Sequence, residues 1–268
     1  MKFIDQLHRD LYLDTHPKRI VSLVPSQTEL LVGLGLEDAI VGITKFCVHP
    51  AHLKTSKAIV GGTKKINYRR ITALKPDIII CNKEENTKEI VEELAKKYSV
   101  YVSDIVTLED AFSLFLDMGK IFDKKAAAQQ LVKDIQVKLN NFTKFIEQSP
   151  LKRVAYFIWA KPWMAAGGNN YINTILKLNK FDNIFKNSPD RYLEVYIEYL
   201  TGLSPELQPE IIMLPSEPFT FEEKHVEELK KYINCQFMFV DGEMFSWYGS
   251  RLLTALDYFK ELQNKMIE

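Results

Sequence analysis

The chain is 268 residues long, with 35 acidic and 35 basic side chains and a formal net charge of zero. That length builds one large domain or two lobes around substantial cores. The even charge excludes a global field that would draw the protein to nucleic acid, an anionic membrane or an acidic partner. Three cysteines make no complete disulfide framework, which points to a reducing compartment, and 46% hydrophobic residues is the content of a folded domain.

The opening stretch, MKFIDQLHRDLYLDTHPKR, carries Asp5, His8, Arg9, Asp10 and Asp14 where a signal peptide needs an unbroken apolar run. No segment reaches the length of apolar residues that a membrane span requires. A cytoplasmic protein is the expectation, and a periplasmic one whose leader has been removed is the alternative. Next, RIVSLVP (Arg19 to Pro25) reads as a buried strand. It runs into SQTELLVGLGL, where Ser26 and Glu29 have capping-box spacing and Gly33 and Gly35 punctuate the end. AIVGITK (strand), YRRITALK (helix), PDIIIC (strand), TKEIVEELAKKYS (helix) and VYVSD (strand) follow. Such alternation predicts a mostly parallel sheet covered on both faces.

From Asp123 to Gln148, Leu131, Ile135, Leu139, Phe142 and Ile146 recur every three or four residues with no Gly or Pro. That spacing predicts a helix of roughly 25 residues, about 38 Å long. The alternation then resumes with RVAYFIW, NNYINTILKL, PEIIML, FEEKHVEELKKY, QFMFVD and a closing helix from about Ser250. The architecture expected is α/β: two Rossmann-like lobes with mostly parallel sheets, residues 1–121 and 150–268, joined by one long backbone helix over 122–149, with a ligand cleft between the lobes.

The chain contains no GxGxxG, GxxxxGK[ST], HExxH or GxSxG. VGGTKK (Val60 to Lys65) opens no helix in phosphate-loop spacing and reads as a turn. Three loops at strand ends carry the chemistry, since parallel α/β sheets bind ligands at the carboxyl ends of their strands. The first is TKFCVHPAHLK, with Phe46, Cys47, His49 and His52. The second is IWAKPWMAAGG, with Trp159, Lys161 and Trp163. The third is VDGEMFSWYGSR, with Asp241, Glu243, Phe245, Trp247, Tyr248 and Arg251.

Cys47 and His49 are a soft and a borderline metal ligand in chelating spacing, completed by His225 or Glu243. Contact with a ligand without metal, and a purely structural role, stand beside that reading. Cys81 and Cys235 adjoin apolar strands and read as core residues. Glu217 follows the IIML strand and points toward the strand-end loops. Lys83 and Glu84 of NKEEN face either the ligand or solvent. Aromatic faces with Lys161 and Arg251 suit a planar anionic molecule, because rings stack and cations pair with carboxylate or phosphate. A non-enzymatic binding protein is expected. The alternative of another class is an enzyme with Cys47 as nucleophile, or with Cys47 and His49 holding a catalytic metal.

The runs HPKRIVSLVPSQTELLVGLGLEDAIVGITKFCVHP, VGGTKKINYRRITALKPDIII and RYLEVYIEYLTGLSPELQPEIIML resemble the helical-backbone periplasmic binding proteins. These are the cobalamin, siderophore and haem receptors of ABC importers, and the likeness is greatest to the cobalamin-binding branch. The resemblance implies a cobalamin, haem or ferric siderophore ligand in the cleft, with Phe46, Tyr192 and Trp159 or Trp163 as its aromatic walls. Thr63 and Asn82 stand where the corrinoid receptor has further aromatics. It also implies a permease-docking glutamate on each lobe. Glu198 matches in the second lobe, but Arg69 of NYRRITALKPD takes the first-lobe place. A reversed charge at a docking point repels, which argues against docking on an ABC permease; a conventional ABC-import receptor whose leader has been removed and whose docking tolerates Arg69 is the further alternative.

Overall fold

Strands buried on both faces have to be apolar throughout. Residues 78–81 meet that condition, and the strand is buried to its end, where the Asn82 amide is hydrogen-bonded to Ser103. In the computed structural model, which describes residues 1–266, such runs form the centres of two sheets in two units. Residues 1–105, 109–137 and 248–253 make the first unit; residues 106–108, 138–247 and from Thr254 onward make the second.

The first unit opens with an antiparallel hairpin of β1 (Lys2–Ile4) and β2 (Asp10–Tyr12). The charged residues of this opening stretch build the hairpin. Asp5 accepts from the backbone of Leu7 and Arg9 and from the Arg9 guanidinium, whose other bond reaches the Val100 carbonyl at 2.9 Å. Then follow β3 (Ile20–Ser22), α1 (Pro25–Gly33), β4 (Ile40–Ile43), α2 (Leu53–Ser56), β5 (Ala58–Ile59), α3 (Tyr68–Leu74), β6 (Ile78–Asn82), α4 (Lys88–Ala95) and β7 (Ser99–Ser103). The sheet is parallel throughout, in the order β5-β4-β3-β6-β7. Its core on one face gathers Val21, Leu23, Ile71, Ile79, Val91 and Val102.

Four expectations change here. The first strand stops at Ser22, and Pro25 starts α1, because proline's fixed φ suits the first helical position. Val24 is therefore the N-cap, and the Ser26–Glu29 capping box does not form. Beyond β7, α5 (Leu108–Ile121), absent from the sequence reading, turns Ala111, Leu114, Phe115 and Met118 inward. The long helix is α6 (Lys125–Phe145), 21 residues rather than the expected 25 or so. Its residues divide between the units at Val137 and Lys138.

The second unit contains β8 (Lys152–Trp159), β9 (Met164–Ala166), α7 (Tyr171–Leu178), β10 (Phe181–Asn183), β11 (Tyr192–Glu194), α8 (Ile197–Gly202), β12 (Ile211–Pro215), α9 (Glu223–Leu229), β13 (Gln236–Val240), α10 (Gly242–Ser246) and α11 (Leu252–Lys265). β10, β12 and β13 join β8 in parallel register, directly or in turn. The edge on the other side of β8, β9 followed by β11, is antiparallel and was not foreseen. Phe157, Leu200, Ile212, Leu214, Val226 and Leu229 fill the core on one face. Phe142, Phe245 and Phe259, all fully buried, pack on one another, with centroids 6.1 Å apart for Phe142–Phe259 and 5.0 Å for Phe245–Phe259.

Candidate functional site

The strand ends of the first unit carry buried hydroxyls and amides. Thr44 directly follows β4, and the tight turn it opens buries Cys47 completely. Its Sγ lies 3.1 Å from Thr28 Oγ1 and 3.3 Å from Thr44 Oγ1. Burial pushes the Cys47 thiol up, despite those hydroxyls. A metal ligand or nucleophile needs the thiolate, so this environment works against both roles. Phe46 beside it is 48% exposed, with Lys45 Nζ 4.9 Å from its ring centre. His49 is half-buried, and His52 pairs with Glu37 at 2.7 Å.

At the end of β6, Asn82 Oδ1 accepts from the backbone of Glu84 and Glu85, and Asn86 Oδ1 accepts from Asn82 N. Asn86 donates to the Thr63 carbonyl at 3.0 Å. The Ser103 hydroxyl accepts from Asn82 Nδ2 at 3.0 Å and from Gln27 Nε2 at 2.5 Å. Gln27 Nε2 also reaches the Tyr248 hydroxyl at 3.0 Å. Burial raises Glu85 above the usual carboxylate range, with Lys64 opposing. Arg251 grips Glu29 through two hydrogen bonds of 2.9 Å. Of the two residues expected to face a ligand, Tyr248 is buried within this network, and Arg251 is paired with Glu29, its side chain only 9% exposed.

The strand ends of the second unit carry rings. Trp159, the last residue of β8, is 42% exposed, and its ring lies 5.1 Å from that of Phe219 beyond β12. Phe219 meets Phe221 edge-on at 4.8 Å, and Trp163 lies nearly parallel to Phe221 at 6.2 Å. His225 presents its ring edge-on to Trp163, Phe219 and Phe221. Its Nδ1 accepts from Glu222 N at 2.9 Å as the reciprocal half of the capping box of α9. The expectation of His225 as a metal ligand is corrected by this arrangement: the buried ring caps a helix and packs among aromatics. Among the described residues, no group of three or more His, Cys, Asp or Glu is placed to hold a metal ion.

Glu217 Oε1 accepts from Trp247 Nε1 at 2.6 Å and from Ser246 Oγ at 2.8 Å. Trp247 is itself buried, and Phe245 is fully buried in the core, which removes Phe245 from the ligand-facing set. Glu243 is half-buried in the first turn of α10, and Tyr192 is half-buried on β11. The Lys161 side chain is 76% exposed, 3.8 Å from Glu228. Glu198 on α8 and Arg69 on α3 are both exposed. The sequence reading passed over Phe219 and Phe221, although Pro-Phe-x-Phe directly behind an apolar strand signals them. It also passed over Gln27, Asn86 and Ser103, which no local pattern connects.

Two α/β units with parallel sheets and side chains gathered at strand ends define a binding-protein fold. The family described as periplasmic binding protein matches residues 20–219, and the chain belongs to it. The vitamin B12-binding protein of Vibrio parahaemolyticus is 26% identical over 192 residues, which are 71% of this chain and 69% of that one. The periplasmic vitamin B12 binding protein of Vibrio cholerae superposes with a TM-score of 0.78 at 20% identity, covering 93% of this chain and 99% of its own. A periplasmic haem binding protein from Pseudomonas aeruginosa does so with a TM-score of 0.78 at 21% identity, covering 92% of each chain. At such identities the structures establish the fold. The family is one of binding proteins and not of enzymes. Among the described residues, no helix is long and apolar enough to cross a membrane.

Proposed function

We propose that this protein binds a ring-bearing metal chelate of the corrinoid, haem or siderophore class, without transforming it. The observation that carries the reading is the Trp159–Phe219 pair: a large ring 42% exposed at the end of a central strand, backed by a second ring 5.1 Å away. An exposed indole at that place, tilted against a half-buried ring, offers a flat apolar face to a planar ligand. Lys161, mostly exposed on the same loop, supplies a cation for a carboxylate on that ligand. The vitamin B12 and haem binding proteins of the same fold support this ligand class. The metal arrives inside its chelate, since Cys47 and His225 are committed to hydroxyls and to a helix cap.

The description of both similar structures as periplasmic favours export over the cytoplasmic placement expected from the N-terminus. Exposed Glu198 is the residue that the family resemblance assigns to permease docking. The test is native mass spectrometry with elemental analysis on protein purified without chelator, followed by titration with hydroxocobalamin, haemin and a ferric catecholate. One of the three binds stoichiometrically and carries its metal with it. Failure of all three, or a free metal ion retained in their absence, overturns the reading.

A further inference from the structure

The net charge of zero conceals a strong segregation. Residues 45–75 contain eight lysines and arginines and no aspartate or glutamate, whereas residues 190–228 contain ten acids and two bases. The basic run wraps the β5 edge of the first sheet, through α2 before that strand and α3 after it. Among the described residues, none of its eight cations forms a salt bridge. Lys57 and Arg70 donate to the carbonyls of Glu37 and Ile59 at 2.7 and 2.8 Å, and Lys64 donates to the carbonyl of Glu84. Elsewhere the exposed cations commonly sit on a carboxylate, as in Lys83–Asp104, Lys96–Glu93, Lys120–Asp117 and Lys186–Asp182. Lys64 lies near the Glu85 carboxylate; the other cations, left without carboxylates over one edge, repel one another, and a bound anionic surface removes that cost.

A second feature lies on the same helix. Tyr68, 42% exposed at the start of α3, forms with Thr72, Leu94 and Tyr98 a groove of about 320 Å³, with Glu93 and Lys97 beside it. The Tyr98 hydroxyl donates to Thr72 Oγ1 at 3.2 Å, which holds the groove wall in place. Such a recess has room for one apolar side chain and has no use against a flat layer of lipid headgroups.

We propose that the β5–α3 edge of the first unit is a docking surface for an acidic face of a partner protein. The carboxylates of that face lie over Lys65 and Arg69, and one of its apolar side chains enters the groove beside Tyr68. This surface belongs to the first unit, whereas Trp159 and Phe219, on which the ligand reading rests, belong to the second, so different substitutions test the two readings and they fail independently. Charge steers and orients the encounter, while the seated side chain slows its dissociation.

The test uses the full chain and a fluorescein-labelled peptide, a run of glutamates with one central leucine, followed by fluorescence anisotropy. The K65E/R69E variant reverses two side chains that hold nothing in the fold, and K125E/K133E makes the same change of net charge on α6. The wild type binds the peptide, and binding weakens as salt rises from about 20 to about 200 mM. K65E/R69E weakens it by about tenfold or more, whereas K125E/K133E leaves it within about twofold. Replacing the peptide's leucine by serine also weakens binding. Three results overturn the proposal: no binding by the wild type, equal loss in both variants, or a leucine that makes no difference. It is equally overturned if Lys65 and Arg69 matter only for binding 3:1 phosphatidylcholine–phosphatidylglycerol vesicles, or only for self-association in sedimentation velocity.

Discussion

The strand-end faces of the two units solve different problems with different atoms. In the first unit, Gln27, Asn82, Asn86, Ser103 and Tyr248 bond to one another or to nearby backbone out of solvent, and the Cys47 thiol is folded into the same buried layer. In the second, Trp159, Trp163, Phe219 and Phe221 gather into a ring cluster whose outermost member is open to water. A buried polar network fixes loop positions because each group left unmade there is costly. An exposed ring does little for the fold and is available to a ligand. The first face therefore reads as scaffolding and the second as recognition.

Substitutions separate the two roles. Gly242 backs directly on Glu217: a Cβ there would stand 2.7 Å from the Glu217 carbonyl oxygen and 2.9 Å from its nitrogen. Backbone cannot yield cheaply, so Gly242→Ala displaces α10 and loosens the Trp247–Glu217 bond. It should lower stability by about 2–3 kcal/mol in urea denaturation, as overpacking does. Gln27→Leu strips hydrogen bonds from the hydroxyls of Ser103 and Tyr248 and should cost about 1–3 kcal/mol by the same measurement, since those groups stay buried. Trp159→Ala, on the other face, should change stability by less than about 1 kcal/mol. A large loss there would mean that the ring supports the fold, and the contrast between the faces would dissolve.

Glu85 gives the smallest effect, and one whose sign depends on pH. Burial raises its folded pKa above the unfolded value. The stability linked to its neutral carboxyl is therefore fully present below the unfolded glutamate range and is lost as pH rises through the raised value. Glu85→Gln should accordingly raise the melting temperature at neutral pH, with the gain shrinking toward about pH 4. A variant less stable at neutral pH would show that the charged form is the one the fold favours.

What was legible in the sequence follows the same division. Central strands such as Ile78–Asn82 and Ile211–Pro215 announce themselves as short apolar runs, because burial on both faces admits a polar residue only where it is hydrogen-bonded, as Asn82 is at its strand end. The Trp159 and Trp163 loop was readable because its rings lie within five residues of one strand end. The network around Ser103 was not, because Gln27 and Tyr248 meet across 221 positions of sequence and no local spacing reports that. His225 misled because histidine is a common metal ligand by type, whereas its role here is set by Glu222 three residues away and by the rings around it. The β1–β2 hairpin was missed because its charged residues were read only as the absence of a leader.

The central claim is that the exposed ring at the end of β8 touches the ligand. Tryptophan emission followed during titration with the chelate that binds tests this directly, in the wild type and in Trp159→Phe and Trp159→Ala. The account predicts strong quenching in the wild type. Trp159→Phe should bind with nearly wild-type affinity but lose most of the quenching, and Trp159→Ala should weaken binding by about tenfold or more, as loss of a stacked ring does. Unchanged affinity in Trp159→Ala, together with undiminished quenching in Trp159→Phe, would place the ligand elsewhere and contradict the account.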